Sequence, residues 1–231
     1  MSTADKLTTI AENQQKVYDA GKQKRYDEFW DEILYEGRED FSYAFAGFGW
    51  SDENFNPPKT IKIKGTAYMM FAKNKITDLR KYDIDFSQAT DFQYLLWTNS
   101  CIKYIGHIDV SGAKRLNGIF HNAHVLERVE SITGTDNILF TNADFYTDKL
   151  NHIIFTDCII NHTITFERCP LDVESMKSII IALNNYAGTD KANAYTVTFT
   201  SSCWAALEAD EEKPPTGGTW KEYVNDLGWN T

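Results

Sequence analysis

Four similar lines of sequence decide the fold: Met70-Phe71-Ala72-Lys73-Asn74, Leu96-Trp97-Thr98-Asn99-Ser100, Ile119-Phe120-His121-Asn122-Ala123 and Leu139-Phe140-Thr141-Asn142-Ala143. Each line has an apolar residue, an aromatic residue, a variable residue and then Asn, or Lys in the first line. A β-branched segment follows three of the lines, so that Ile84, Ile108 and Ile132 recur every 24 residues. A unit with one short strand and one turn cannot bury its own apolar face and must stack on its neighbours. The sequence therefore predicts a solenoid.

The strands of this solenoid are predicted at residues 61–63, 82–86, 105–110, 129–132, 152–155, 163–166 and 195–199. Because repeats pair with their nearest neighbours, we expect these strands to form adjacent rungs of one sheet, with Ile84, Ile108 and Ile132 pointing inward. The aromatic residues of the four lines are then expected to form an interior column: Phe71, Trp97, Phe120 and Phe140.

The segments on either side of the repeats are predicted to be helical. Residues 3–36 have the apolar spacing of an amphipathic helix. Its face is expected either to dock on the rest of the chain or to form a homo-oligomeric seam through Leu7, Ile10, Gln14 and Val17. After Pro170, a helix with Asp172 as its N-cap, a strand and two short helices are expected, the last opened by a capping box at Thr219 and Glu222.

These patterns define an α+β fold class and three regions. Residues 1–38 are an N-terminal amphipathic helix, residues 39–170 a short leucine-rich-repeat-like solenoid with an aromatic N-terminal cap, and residues 171–231 a helical C-terminal capping unit. The chain of 231 residues is long enough to bury a substantial core.

Composition excludes several classes of function. The net charge of −10 argues against nucleic acid and against an anionic membrane surface as partners. The sequence has no apolar run long enough for membrane insertion and no signal-peptide pattern at its start, so we expect a protein that is made in a cytoplasm and not exported by a cleaved signal. Four widely spaced cysteines without a C-x-x-C pair are expected to be reduced and mostly buried.

The aromatic-x-Asn turn, the β-branched strand and the period of 22 to 24 residues resemble BspA-type leucine-rich repeats over about residues 60–170. The two ends, KLTTIAENQQKVYDAGKQKRYDEFWD and CPLDVESMKSIIIALNNYAGT, are similar to terminal units of leucine-rich-repeat proteins from phages and prophages of gut bacteria. The resemblance implies a repeat scaffold on a phage tail or baseplate, with no catalytic residues.

The binding surface is expected on the outward positions of the predicted strands: Asp83, Asp85, His107, Asp109, Ser131 and Thr133. Stacked carboxylates can also hold calcium or form a glycosidase pair, but we favour a solvated acidic face. His121 and His124 could join His107 or Cys101 in a zinc site, although we expect no metal and no cofactor. An alternative aromatic surface is Phe45, Phe48 and Trp50, which we otherwise expect to plug the end of the solenoid.

The sequence contains none of the common nucleotide, hydrolase or metalloprotease motifs. We therefore expect a non-enzymatic phage virion or prophage protein that binds a protein or glycan on the host surface or in the phage tail. The alternatives are an intracellular phage effector that binds a host protein, and a bacterial surface adhesin.

Overall fold

The computed structural model describes residues 15, 19, 21–47, 49–134, 145 and 147–231. The chain divides into two compact units at the junction between Arg38 and Glu39. In the first unit, residues 21–33 form helix α1, in which the Trp30 ring packs edge-on against Tyr26 and Phe29. The predicted helix is confirmed over these residues, and it ends four residues before Gly37. The proposed seam from Leu7 to Val17 lies outside the described residues.

The second unit is a parallel β-solenoid of about four turns with helices at its C-terminal end, so the predicted α+β solenoid is confirmed. Its strands are β1 (Ile61–Thr66), β2 (Ile84–Asp91), β3 (Tyr104–Asp109), β4 (Arg128–Thr133), β5 (His152–Thr156), β6 (Ile164–Phe166), β7 (Tyr195–Phe199) and β8 (Trp229–Asn230). A 3-10 turn spans Leu79–Lys81, and the helices are α2 (Val173–Ile181), α3 (Ser201–Ala209) and α4 (Trp220–Asp226). Every strand pair is parallel, as expected when each turn stacks on the next.

The strands form three sheets, β1-β2, β3-β4-β5 and β6-β7-β8, so the prediction of one continuous sheet is wrong. Ile108 and Ile132 are buried register partners in one sheet, whereas half-buried Ile84 pairs with Ile61 in another. The turn that carries β2 is joined to the turn that carries β3 by isolated bridges, at Asp78–Tyr104 and Asp91–Arg115, and not by a strand ladder. The Arg80 side chain occupies the gap, passing Gly106 of β3 to reach Glu130 of β4 at 3.0 Å.

A second ladder runs along the turns that carry the repeated lines. Two positions in each turn have a left-handed backbone, first at Tyr43, Met69, Tyr94 and Gly118, and then four residues later at Gly47, Lys73, Thr98 and Asn122. Backbone hydrogen bonds join successive turns in this register, including Phe45 N to Met70 O at 2.9 Å and Leu96 N to Ile119 O at 3.0 Å. The four turns therefore have the same shape although their sequences differ.

The register of the turns shows that the predicted interior column is wrong at Trp97. The residues that share one inward position are Phe45, Phe71, Leu96 and Phe120, all buried. Trp97 is one residue later and only half-buried, with the Lys73 ammonium 4.5 Å from its ring centre. The predicted phase of the second line is wrong by one residue because Leu96 holds the position of the aromatic residue, while the apolar-aromatic pattern matches Leu96 and Trp97. Phe140 lies outside the described residues.

The corrected phase places Asn74 and Asn99 at one position, where both are buried. Asn99 Nδ2 donates to Asn74 Oδ1 at 3.0 Å and to the Phe71 carbonyl at 2.8 Å, while its Oδ1 accepts from two backbone amides. Both asparagines therefore bond to backbone groups of the turns, Asn74 through its Nδ2 to the Phe45 carbonyl and its Oδ1 to the Ile76 amide. Asn122 instead occupies a left-handed position, for which Asn is suited.

Helix α2 closes the exposed edge of β5. Its N-cap is Asp172, as predicted, and the hydroxyls of Ser175 and Ser178 accept from the β5 amides of Ile153 and Phe155 at 2.9 and 3.2 Å. The helix ends at Ile181, and the residues that follow it pair with Ile160. The side chains thus satisfy strand groups that would otherwise form an unpaired edge.

We predict that Phe120→Ala lowers the free energy of unfolding by about 3–5 kcal/mol, because a fully buried ring leaves a cavity. Trp97→Ala should cost less than about 2 kcal/mol, since it removes a half-buried ring and one cation–π contact. Urea denaturation of both variants checks the corrected phase. Equal losses would show that Trp97 belongs to the core.

The Asp172 carboxylate is expected to make the stability of the protein depend on pH in the acid range. Burial raises its pKa, but the hydrogen bonds from Ser175 and from His152, whose Nδ1 lies 2.7 Å from Oδ2, together hold the pKa below its usual value. A lowered native pKa contributes stability above the unfolded value of about 3.9 that is lost as the pH falls through the native value.

Asp172→Asn keeps a capping side chain, and we expect it to have a lower free energy of unfolding than the parent at pH 6. This deficit should become smaller as the pH falls to 3, because the parent loses the stability that its charged carboxylate contributes. Urea midpoints measured across this range check it. A deficit that stays constant with pH would contradict the role of the charge.

Candidate binding surfaces

The outward residues predicted on the strands fall into two groups. On β3 and β4, His107 pairs with Ser131 and Asp109 with Thr133, and His107 Nδ1 lies 2.8 Å from Ser131 Oγ. Asp85 lies on β2, in the other sheet, and Asp83 precedes that strand. The structure thus places four of the six residues on two adjacent strands, and it places Asp83 and Asp85 before and on a strand of the neighbouring sheet.

The carboxylates of this group are held by local hydrogen bonds. Asp83 accepts from the Thr60 hydroxyl, and Asp109 Oδ1 accepts from the Ser111 amide at 2.8 Å. Asp85 Oδ1 accepts from the Ser87 amide at 2.9 Å, and Ser87 keeps the pKa of Asp85 below its usual value. Each carboxylate thus has its own hydrogen-bond donor.

A cleft of about 280 Å³ lies where the first two sheets separate. Its lining includes Asp83, Ile84, His107, Arg80 and Glu130. Arg80 is fully engaged there: Asp78 binds it through both carboxylate oxygens at 3.0 Å, Glu130 binds its Nη1, and its guanidinium lies 4.4 Å from the Tyr104 ring centre. These contacts raise the pKa of Arg80, and they make it a brace across the gap.

An exposed row of rings lies along the stacked turns. Successive ring centres of Tyr43, Tyr68, Tyr94 and His121 are 5.5, 6.1 and 5.9 Å apart, each pair meeting edge to face. Tyr43 is 54% exposed and the other three are half-buried. We call these four residues the aromatic row. Sequence analysis missed it because Tyr68 and Tyr94 lie two residues before two of the repeated lines and Tyr43 precedes none of them, so only the stacking of the turns brings the rings together.

The backbone under the aromatic row is strained at two of its members. Tyr43 and Tyr94 have φ values of 58° and 56°, a region that costs a bulky residue about 1 kcal/mol or more and that glycine adopts freely. Gly118 occupies the same position in the next turn, which shows that the turn does not require a side chain there. A Cβ at Gly118 would lie 2.5 Å from the Tyr94 ring, so this glycine also makes room for that ring.

The aromatic surface predicted from the sequence, Phe45, Phe48 and Trp50, is distinct from the aromatic row. Phe45 is completely buried and packs against Phe55, Phe71 and Trp50, so it cannot contact a partner. Trp50 is half-buried in the same cluster, and Phe48 lies outside the described residues. The expectation that these rings plug the end of the solenoid agrees with the burial of Phe45.

The histidines and cysteines have structural surroundings. Within the described ranges, no three His, Cys, Asp or Glu side chains form a group that could hold a metal ion. His121 packs against Tyr94, and His107 binds Ser131. The four cysteines are free and three are buried, as predicted, and burial raises the pKa of Cys158 to about 11 and of Cys169 to about 12. The thiols of Cys158 and Cys169 are therefore poor nucleophiles.

Comparison with known proteins gives no family assignment: no protein-family model, curated protein or solved structure matches the chain. Among the helices in the described part of the chain, none is long and apolar enough to cross a bilayer.

We predict that Gly118→Ala displaces the Tyr94 ring in addition to straining the backbone. Gly217→Ala is the matched control, because Gly217 has a similar φ, 77° against 74°, and no atom lies within 4 Å of the position that an added methyl group would take. Both variants should lose about 1 kcal/mol of stability from the left-handed backbone, and Gly118→Ala more. Urea denaturation and the Tyr94 ring resonances in NMR spectra check this. Unmoved Tyr94 resonances would contradict it.

Proposed function

We propose that this chain is a non-enzymatic binding protein of a phage virion or prophage, associated with the tail or baseplate. It contacts a protein or glycan partner through side chains that repeat on its stacked turns. The repeat resemblance and the similarity of both chain ends to phage leucine-rich-repeat proteins support the phage assignment. The solenoid geometry supports the binding role, because stacked units present equivalent side chains as an extended surface.

The aromatic row is the observation that carries this proposal. Four rings on successive turns remain accessible, and two of them are kept at positions where glycine would relieve backbone strain. The turn takes a left-handed residue at this position, and Gly118 fills it without strain, so tyrosine at two equivalent positions supports a role for the rings themselves. Exposed aromatic residues are also the side chains that most often dominate binding energy at interfaces.

The strand surface supports binding over catalysis. His107, Asp109, Ser131 and Thr133 lie in register on two adjacent strands, and their neighbouring carboxylates keep local hydrogen bonds. An acidic surface of this kind attracts a basic or polar partner, and salt weakens the attraction.

Localisation and binding of the whole chain test the proposal. Antibody detection on purified phage particles is expected to find the chain in the virion, and the labelled chain should bind host cells or a phage tail protein. A chain found only in the cytoplasm of infected cells, bound to a host protein, would favour an intracellular effector. Attachment to the surface of uninfected bacteria would favour an adhesin.

The strand surface has its own test. Asp85→Lys with Asp109→Lys should weaken binding severalfold at low salt, with a smaller difference at high salt, because charge attraction is screened. The matched control is Asp190→Lys with Glu211→Lys, which makes the same charge change at exposed residues of the C-terminal region. Unchanged binding by the first variant would exclude the strand surface and leave the aromatic row.

A further inference from the structure

The turns that carry the aromatic row are poor in charge. Residues 41–47, 66–74, 91–99 and 115–123 contain three charged side chains, Lys73, Asp91 and Arg115, in a chain that is 24% charged. All three are engaged: Arg115 Nη2 lies 2.6 Å from Asp91 Oδ2, and Lys73 lies over the Trp97 ring. The strongly acidic protein therefore has one nearly neutral stripe, and the exposed rings lie on it.

Neutral polar groups run beside the rings. Gln93 Nε2 donates to Asn117 Oδ1 at 2.5 Å, and Ser42 Oγ lies 3.5 Å from Thr66 Oγ1. Gln93 and Asn117 directly precede Tyr94 and Gly118, so a pair of amides lies beside the Tyr94 end of the stripe. Each amide has both donor and acceptor capacity, which complements a ligand rich in hydroxyl groups.

We propose that the aromatic row binds a neutral oligosaccharide, an inference that names the ligand of the surface on which the proposed function rests. A sugar ring has an apolar C–H face that packs on an aromatic ring and a rim of hydroxyls that both donate and accept hydrogen bonds. An extended chain of such rings can contact successive turns, because the turns repeat along one axis. Binding sites of this kind combine apolar or aromatic surface with a few placed polar groups.

Two other extended ligands fit the stripe less well. Single-stranded nucleic acid stacks on aromatic side chains but needs a positively charged groove along its backbone, and the two cations of these turns are engaged. A proline-rich peptide docks on aromatic rings too, yet proline lacks an amide hydrogen, so such a peptide offers mainly acceptors to the amides. The oligosaccharide satisfies both the rings and the amides.

An array of neutral oligosaccharides, anionic oligosaccharides and proline-rich peptides, probed with the whole chain, tests the proposal. We expect neutral oligosaccharides to bind, with affinity that rises with chain length and changes less than twofold between low and high salt. Titration calorimetry with the best array ligand then measures the variants. Tyr43→Gly and Tyr94→Gly should each lower affinity about tenfold, the order expected for loss of one stacking contact.

Two controls separate ring loss from other effects. Met69→Gly relieves the same left-handed backbone in the intervening turn without removing a ring, and Tyr35→Ala removes an exposed tyrosine outside the row. Both should keep affinity within about twofold, in contrast to the loss of a stacking contact. Tyr68→Ala, whose backbone is not left-handed, gives a second test within the row, and thermal unfolding confirms that each variant is folded.

Each outcome has a defined meaning. Loss of oligosaccharide binding in the ring variants alone supports the proposal. Binding only to anionic oligosaccharides or to proline-rich peptides overturns it, as does neutral oligosaccharide binding that the ring variants leave unchanged. If the chain binds phage particles or host cells but no oligosaccharide, the proposed function stands and this ligand is wrong. If it binds none of these, both fail.

Discussion

One large apolar side chain from each turn must stack on that of the next, and the rest of the solenoid depends on this packing. Phe45 stacks on Phe71 at 5.4 Å, and Phe145 lies between Phe120 and Phe166 at 6.0 and 4.3 Å. The series ends at Phe199, 5.9 Å from Phe166. Because these contacts join side chains of successive turns, they help to fix the rise and register of the turns along the core.

The same constraint explains the left-handed positions. A turn that carries an inward ring must reverse direction on both sides of it within a few residues, and a left-handed residue before and after achieves this. The buried asparagines then satisfy backbone groups that the tight turn leaves unpaired inside. The chain can vary the residue types because hydrogen bonds between turns, rather than a strict consensus, hold the shape.

The strand ladder is interrupted between β2 and β3, which shows that the solenoid also tolerates a local loss of strand pairing. Two isolated bridges and the Arg80 brace replace a full strand ladder there, and a cleft opens. The turns on the other side of the solenoid continue their ladder past this level, since Leu96 still bonds to Ile119. The aromatic row is therefore continuous although the sheet is not. The side of the solenoid formed by the turns is thus the longer uninterrupted face.

The sequence alone determined the solenoid, the N-terminal helix over its described part and the C-terminal caps. Periodicity and capping patterns are local, and they can be read without knowing which residues meet. The Asp172 cap and the Thr219–Glu222 capping box are examples, since each is formed within four residues.

Only the tertiary structure decided the phase of the repeats and the position of the exposed rings. Trp97 and Leu96 are adjacent, and their opposite burial follows from the hydrogen bonds between turns. Tyr43, Tyr68 and Tyr94 are separated by 25 and 26 residues and share no motif, so their alignment exists only once the turns are stacked. A one-residue change of phase exchanges inside and outside, and this is why a spacing that predicts the fold does not by itself locate the surface.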